Sequence, residues 1–245
     1  MYTYTPPPCL LADRTIFITG AGQGIGKALA IGCATLGARV IILGRSVKKL
    51  QYVSELVVDQ GLPKPIIIPF DLEHASEDDY QTLYTILSEQ ITHLDGLVNN
   101  ASVAADLKPF TQLSNNEFNR VMHINVNASF ALTKTLFPLL DKAPESSIIF
   151  TSSSVGRMGR ANWSAYATSK FATEGLMQCL ADELQHTNVR VNSVNPGATR
   201  TEMRAQIYPD EVVTNNPLPE QILPIYFYLL GPDSNKVNGQ AFNAQ

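Results

Sequence analysis

Short, continuously apolar and β-branched runs recur along this chain, separated by longer segments of helical period. The runs fall at 15–19, 39–43, 65–70, 94–99, 147–151 and 189–195, and the segments between them predict helices near 24–36, 46–59, 76–91, 114–140, 163–186 and 219–230. A strand that is apolar at consecutive positions buries both of its faces, and alternation with helices supplies the cover for each. The pattern therefore predicts an α/β fold, a doubly wound parallel sheet with helices on both faces. No Pro/Gly/Ser-rich linker and no internal repeat interrupts it. Residues 1–245 thus read as a single domain with no separate substrate lobe, and 1–11, with Pro6, Pro7 and Pro8, as an extended lead-in. At 44% hydrophobic residues the chain has material for one large core.

The remaining composition excludes several functions. Lys plus Arg number 18 against 22 Asp plus Glu, a net charge of −4 that leaves no basic footprint for nucleic acid or an anionic membrane. The longest apolar stretches, such as Val40 to Leu43, are far too short to cross a bilayer. Cys9, Cys33 and Cys179 make neither a disulfide framework nor a zinc spacing, and His74, His93, His123 and His186 are dispersed, so no metal is expected. The N-terminus lacks the basic and apolar regions of a secretory signal, which makes the cytoplasm the expected location. The Asn-x-Ser triplets at Asn100, Asn127 and Asn162 then read as chance.

Chemistry enters where the first strand runs into Thr19-Gly20-Ala21-Gly22-Gln23-Gly24-Ile25-Gly26 and an Ala-rich helix. A glycine-rich turn at such a junction lets backbone approach a pyrophosphate, with the helix N-terminus supplying N–H donors. After the second strand, where an acidic side chain would bind a ribose 2′-hydroxyl, the sequence reads Gly44-Arg45-Ser46, followed by Lys48 and Lys49. A guanidinium there suits a 2′-phosphate, which favours NADP(H) and leaves NAD(H) as the lesser alternative. The plainer reading makes Ser46 a helix cap and Arg45 a solvated loop residue. Further on, Tyr166 and Lys170 stand at i and i+4 on a predicted helix, hence on one face. A neighbouring ammonium would lower the tyrosine pKa and make the phenol a usable acid/base.

Taken together, these residues resemble the short-chain dehydrogenase/reductase family over nearly the whole chain, from about Ala12 to Phe242. The likeness rests on the Thr-Gly-x-x-x-Gly-x-Gly turn, Asn99-Asn100-Ala101 after the fourth strand, Asn125, the serine-rich strand end Thr151 to Ser154, the Tyr-Lys pair, and Asn195 to Thr201 after the sixth strand. It implies a Rossmann fold of about seven strands. It also implies hydride transfer between the nicotinamide and a small-molecule carbonyl/alcohol substrate. By the same resemblance Tyr166 is the general acid/base, and Lys170 tunes it while holding the nicotinamide ribose. Of three neighbouring serines the family spacing selects Ser153 to hold the substrate oxygen. Asn125 matches the asparagine of a proton path to the lysine, although Asn127 lies close by and a helix Asn is often only a satisfied polar group. On the cofactor side Gly20, Gly24, Ile25 and Gly26 match the pyrophosphate turn, and Asp71-Leu72 the adenine edge, where Asp71 could instead cap a helix. Asn99 and Ala101 match contacts at the adenine ribose, and Pro196, Gly197, Thr199 and Thr201 the segment that fixes the nicotinamide. Two positions depart from the pattern. Ser102 stands where the family often has glycine, and the ending Gly239 to Gln245 lacks the usual closing strand motif, which puts its contacts in doubt.

Arg157, Arg160 and Trp163 sit beside the catalytic serine. The arginines could take an anionic group or remain solvated, and the tryptophan could wall a pocket or pack an interface. The segment 202–216 is expected to form a mobile lid. Helices 114–140 and 163–186 are apolar around much of their circumference, which with the resemblance predicts a homodimer or homotetramer through them. The rival function is a non-catalytic dinucleotide-sensing binding protein on the same fold. Retention of the catalytic set argues against it.

Overall fold

The computed structural model describes residues 1–245. In chain order the elements are β1 (Thr15–Thr19), α1 (Gly24–Thr35), β2 (Arg39–Gly44), α2 (Val47–Val58), β3 (Ile66–Pro69), α3 (Glu77–Gln90), β4 (Gly96–Asn99), α4 (Asn115–Met122), α5 (Ala128–Asp141), β5 (Ser146–Thr151), α6 (Ser164–Glu183), β6 (Val189–Asn195), α7 (Glu202–Ile207), α8 (Pro224–Leu230) and β7 (Ala241–Asn243). The seven strands form one sheet in the order β3-β2-β1-β4-β5-β6-β7, every pair parallel. The chain winds outward from β1 in one direction and from β4 in the other. Connections leaving these two strands diverge, and a crevice opens beyond their carboxyl ends.

Alternate residues of each strand feed opposite cores. Ile16, Ile18, Val40 and Ile42 join Leu29, Cys33, Ile225 and Leu229 on one side of the sheet. Phe17, Ile41 and Leu43 join Leu83, Leu87, Leu132 and Met177 on the other. Both faces of the central strands are therefore dry, which explains their unbroken apolar character.

The long helix expected over 114–140 is instead two helices joined by a π-helical turn, His123–Asn127. A π turn adds a residue without ending the helix, so the apolar stripe continues and periodicity does not reveal the break. The lead-in is not free. Leu11 is fully buried, the Tyr2 N–H donates to the Ala244 carbonyl at 2.8 Å, and the Tyr2 and Tyr4 rings lie 5.9 and 5.4 Å from that of Tyr228. The C-terminus also forms its strand despite the unfamiliar ending. β7 pairs with β6, and the Gln245 side chain donates to the carbonyls of Pro196 and Ala198 at 2.6 and 3.0 Å.

Candidate active site

A cleft of about 780 Å³ runs along the carboxyl ends of the strands, from the glycine turn after β1 to helix α7. At its outer end Thr19 couples two strand ends. Its hydroxyl accepts the N–H groups of Asn100 and Ala101, each at 2.9 Å, and the Asn100 side chain donates to the Thr19 carbonyl at 2.9 Å. Gly20 and Gly24 take φ of +65° and +53°, and a Cβ on Gly26 would lie 2.3 Å from the Gly20 carbonyl oxygen. Glycine is required at these three positions of the turn. Helices α2, α3 and α4 each begin on a serine whose hydroxyl accepts a first-turn N–H. By contrast, α1 has no side-chain cap and no acidic residue in its first turn, so its N–H donors face the cleft free for an anion. A dinucleotide pyrophosphate fits this cradle.

Arg45 lines the cleft with 58% of its side chain exposed. Its one ion pair, at 3.6 Å, is to Glu73, a carboxylate already held by Arg120 at 2.6 and 2.8 Å. The guanidinium is thus loosely held and can turn to a phosphate, while Ser46 caps α2 by accepting from the Lys49 N–H. Ser46 thus meets the plainer reading, and Arg45 stands exposed on the cleft wall, as either reading of it requires. Asp71 does not cap α3, which Ser76 does. It accepts from the Glu73 N–H and bonds His74, contacts that hold its carboxyl below the ordinary range against the opposing pull of desolvation, the largest single influence. Leu72 is buried beside it in the cleft wall.

At the inner end β5 delivers Ser152, Ser153 and Ser154. Ser152 is buried with its hydroxyl unpartnered, and Ser153 caps the short turn Ser154–Gly156. α6 carries Tyr166 into the cleft and Lys170 one turn behind it, where the ammonium donates to the Thr151 carbonyl at 2.8 Å and lies 5.4 Å from the centre of the Tyr166 ring. The expected lowering of the tyrosine pKa is not seen in the protein alone. Burial pushes the phenol up to about 12, opposed by contacts with the hydroxyls of Ser102 and Ser153. Burial likewise pushes Lys170 down to about 8, opposed by the charge of Glu174. The ammonium is spent on β5 rather than on the phenol, so desolvation wins at both groups.

Asn125 sits in the π turn and is buried. Its side chain accepts the Val103 N–H at 2.8 Å and donates to the Val103 carbonyl and the Ser169 hydroxyl, each at 2.9 Å, whereas Asn127 is exposed. It thereby fixes the loop after β4 to α6. Ala101, Pro196, Gly197, Thr199 and Thr201 line the cleft with Gly20, Gly24 and Ile25. Gly26, Asn99, Asn125 and Lys170 stand behind the wall. The Asn99 side chain turns inward to Thr133 at 3.0 Å.

Sequence reasoning assigns no role to Gln23, Lys49, Ser102 or Tyr208, all of which line the cleft. In the sequence Ser102 shows only as a departure from a glycine pattern; in the structure its hydroxyl is one of the two that oppose the effect of burial on the Tyr166 phenol. Lys49 bonds the Gln23 side chain and pairs with Glu202 at 3.0 Å, tying α7 to the rim of the glycine turn, and an ion pair between Arg204 and Glu211 braces the segment 202–216, expected as a lid, from within. Neither reading given for Arg157 holds. It is committed to Glu174, Asn243 and the Phe242 carbonyl, and so staples β7 to α6.

A parallel sheet in this order, a glycine turn at its switch point and a Tyr-Lys helix against the serine-bearing strand define the short-chain dehydrogenases. The chain belongs to that oxidoreductase family, and its short chain dehydrogenase model matches residues 14–212. Among its relatives, the oxidoreductase YciK of Escherichia coli K12 is 45% identical over 99% of this chain and 96% of its own length. A short chain dehydrogenase structure from Pseudomonas syringae is 54% identical over the whole of both chains, with a TM-score of 0.98. One from Shigella flexneri 2a, complexed with NADP, is 45% identical over 98% of this chain and 100% of its own, with a TM-score of 0.95. No helix here is long and apolar enough to cross a membrane.

Proposed function

We propose that this chain is an NADP(H)-dependent carbonyl reductase, one domain over 1–245, working as a homo-oligomer in the cytoplasm. The observation that carries the reading is the meeting of Tyr166 and Ser153 at the inner end of the cleft whose outer end is the uncapped glycine turn. When bound, NADPH supplies the hydride. Gly20, Gly24, Ile25 and Gly26 cradle its pyrophosphate, Arg45 takes the 2′-phosphate, and Asp71, Leu72 and Ala101 surround the adenosine, with Asn99 set behind them. Pro196, Gly197, Thr199 and Thr201 fix the nicotinamide, and Lys170, set behind the wall, would reach its ribose by turning from the Thr151 carbonyl. Relatives solved with NADP and with NADPH support the cofactor choice. More distant relatives at 29% identity carry the names 5-keto-D-gluconate 5-reductase and 3-oxoacyl-[acyl-carrier-protein] reductase, which supports carbonyl reduction.

Proton handling follows from the side chains. With its phenol pushed up to about 12, Tyr166 is fully protonated at neutral pH and serves as donor to the oxygen of a carbonyl under reduction. Ser153 donates a hydrogen bond to that same oxygen as charge develops on it. The positive charge of Lys170 favours the phenolate left behind, and Asn125 keeps the Val103 loop and α6 in register around both. The test is a panel of aldehydes and ketones with NADPH, read as loss of nicotinamide absorbance. Reduction of at least one member is expected, with NADPH favoured over NADH. A panel that consumes no NADPH, with NADPH bound normally, would turn the reading toward the sensing protein.

A further inference from the structure

The substrate end of the cleft is positively charged through a single uncommitted group. Arg157 is tied to Glu174 and β7, Arg204 is held by both carboxylate oxygens of Glu211 and lies 3.9 Å over the Tyr208 ring, and Arg200 donates to the Asn216 carbonyl at 3.2 Å. Arg160 lines the cleft, is exposed, and has neither an ion pair nor a side-chain hydrogen bond. The carboxylates of the cleft wall are Asp71, Glu73 and Glu202. The first two face Arg45 and the third is paired with Lys49, all of them at the dinucleotide end. Nothing acidic on the cleft wall opposes Arg160.

The loop that presents Arg160 is built rather than slack. The Trp163 N–H closes a turn on the Arg160 carbonyl at 3.3 Å, and Asn162 within it takes φ of +71°, a left-handed conformation uncommon outside glycine. This turn sets the indole of Trp163 5.6 Å from the Tyr166 ring and 6.2 Å from that of Tyr208. An aromatic wall therefore extends from the proton donor to the lid, with an unpaired guanidinium at the start of the turn that builds it.

We propose that Arg160 determines specificity, and that the substrate is a carbonyl compound with a planar apolar body and a carboxylate. The body lies against Trp163 and Tyr208, the carboxylate takes the paired N–H groups of Arg160, and the carbonyl oxygen meets Tyr166. This rests on the reading of the cleft as a carbonyl-reducing site. Trp163 is the sole tryptophan of the chain, so its fluorescence reports on this wall alone.

The experiment titrates the full chain, saturated with NADP+, with 4-formylbenzoate and with its neutral partner 4-formylbenzamide, reading Trp163 fluorescence. About tenfold tighter binding of the acid is expected, in line with a charge-assisted bidentate pair. That ratio should fall to near one in both Arg160→Ala and Arg160→Gln. Equal affinities in the wild type, or a preference that survives both substitutions, would overturn the proposal. NADPH consumption with the same two aldehydes separates it from the underlying reading. Acid-selective binding without turnover of either aldehyde would count against carbonyl reduction and leave the anion site standing. Turnover of both with equal kcat/KM would count against the anion site alone.

Discussion

Lys170 shows how a single residue's cost and use are linked. Only 3% exposed, it gives up most of its hydration, and one carbonyl and the nearby Glu174 return only part of it, so its pKa falls from 10.5 to about 8. The unfolded chain keeps this proton to about pH 10.5 and the native chain releases it near 8. Between those limits the unfolded state holds more protons, and this group's contribution to stability rises with pH. Lys170→Met should remove that contribution. Compared by urea unfolding at pH 7.5 and 10.5, wild type should gain relative to the variant by about 3 kcal/mol. The difference between the two proteins isolates the lysine from Cys33 and the buried tyrosines, whose raised pKa values work in the opposite direction at high pH.

The same desolvation explains what could be read at residue level from the sequence and what could not. The i, i+4 spacing placed Tyr166 and Lys170 on one helix face correctly. Whether the ammonium would lower the phenol depended on burial and on a Thr151 carbonyl 19 residues away, which spacing does not encode. Arg157 and Arg160 looked alike because they share a loop. Glu174, Phe242 and Asn243, all distant in sequence, claim one of them and leave the other free.

Among the elements, the β1–α1 unit carries the strictest geometric demand. A side chain at Gly26 would press on backbone rather than on a yielding side chain. Gly26→Ala should therefore cost about 1–3 kcal/mol in urea unfolding and abolish tight NADPH binding measured by calorimetry. The strands could be read in the sequence because each is buried on both faces, and the boundaries of β1 and β6 fall where the apolar runs do. The π turn between α4 and α5 left no such trace, since Asn125 and Asn127 are both asparagines on a continuing apolar helix. β7 is expected from the resemblance alone, since no apolar run marks it. It is three residues long, largely exposed, and held by β6 and the Gln245 side chain rather than by its own composition.

For the whole molecule, the two helices whose apolar faces exceed what the sheet can cover remain the best guide to assembly. Phe130 on α5 and Phe171 on α6 stay about half exposed, at 49% and 47%, large apolar side chains that the core leaves uncovered. Light scattering should find a dimer or tetramer, and Phe130→Glu with Phe171→Glu should shift it to monomer. A wild-type monomer at every concentration would contradict the interface. Net charge, by contrast, says little about this fold. The cations that matter are local: Arg45 at one end of the cleft, Arg160 at the other, and Lys170 behind the wall between them.

The central claim is that Tyr166 supplies the proton while the glycine cradle and Arg45 hold the cofactor independently of it. Tyr166→Phe removes one hydroxyl and keeps the ring. With a reducible carbonyl and NADPH, kcat should fall at least about a hundredfold, while the NADPH dissociation constant changes by less than about threefold. Turnover within about tenfold of wild type in that variant would contradict the account.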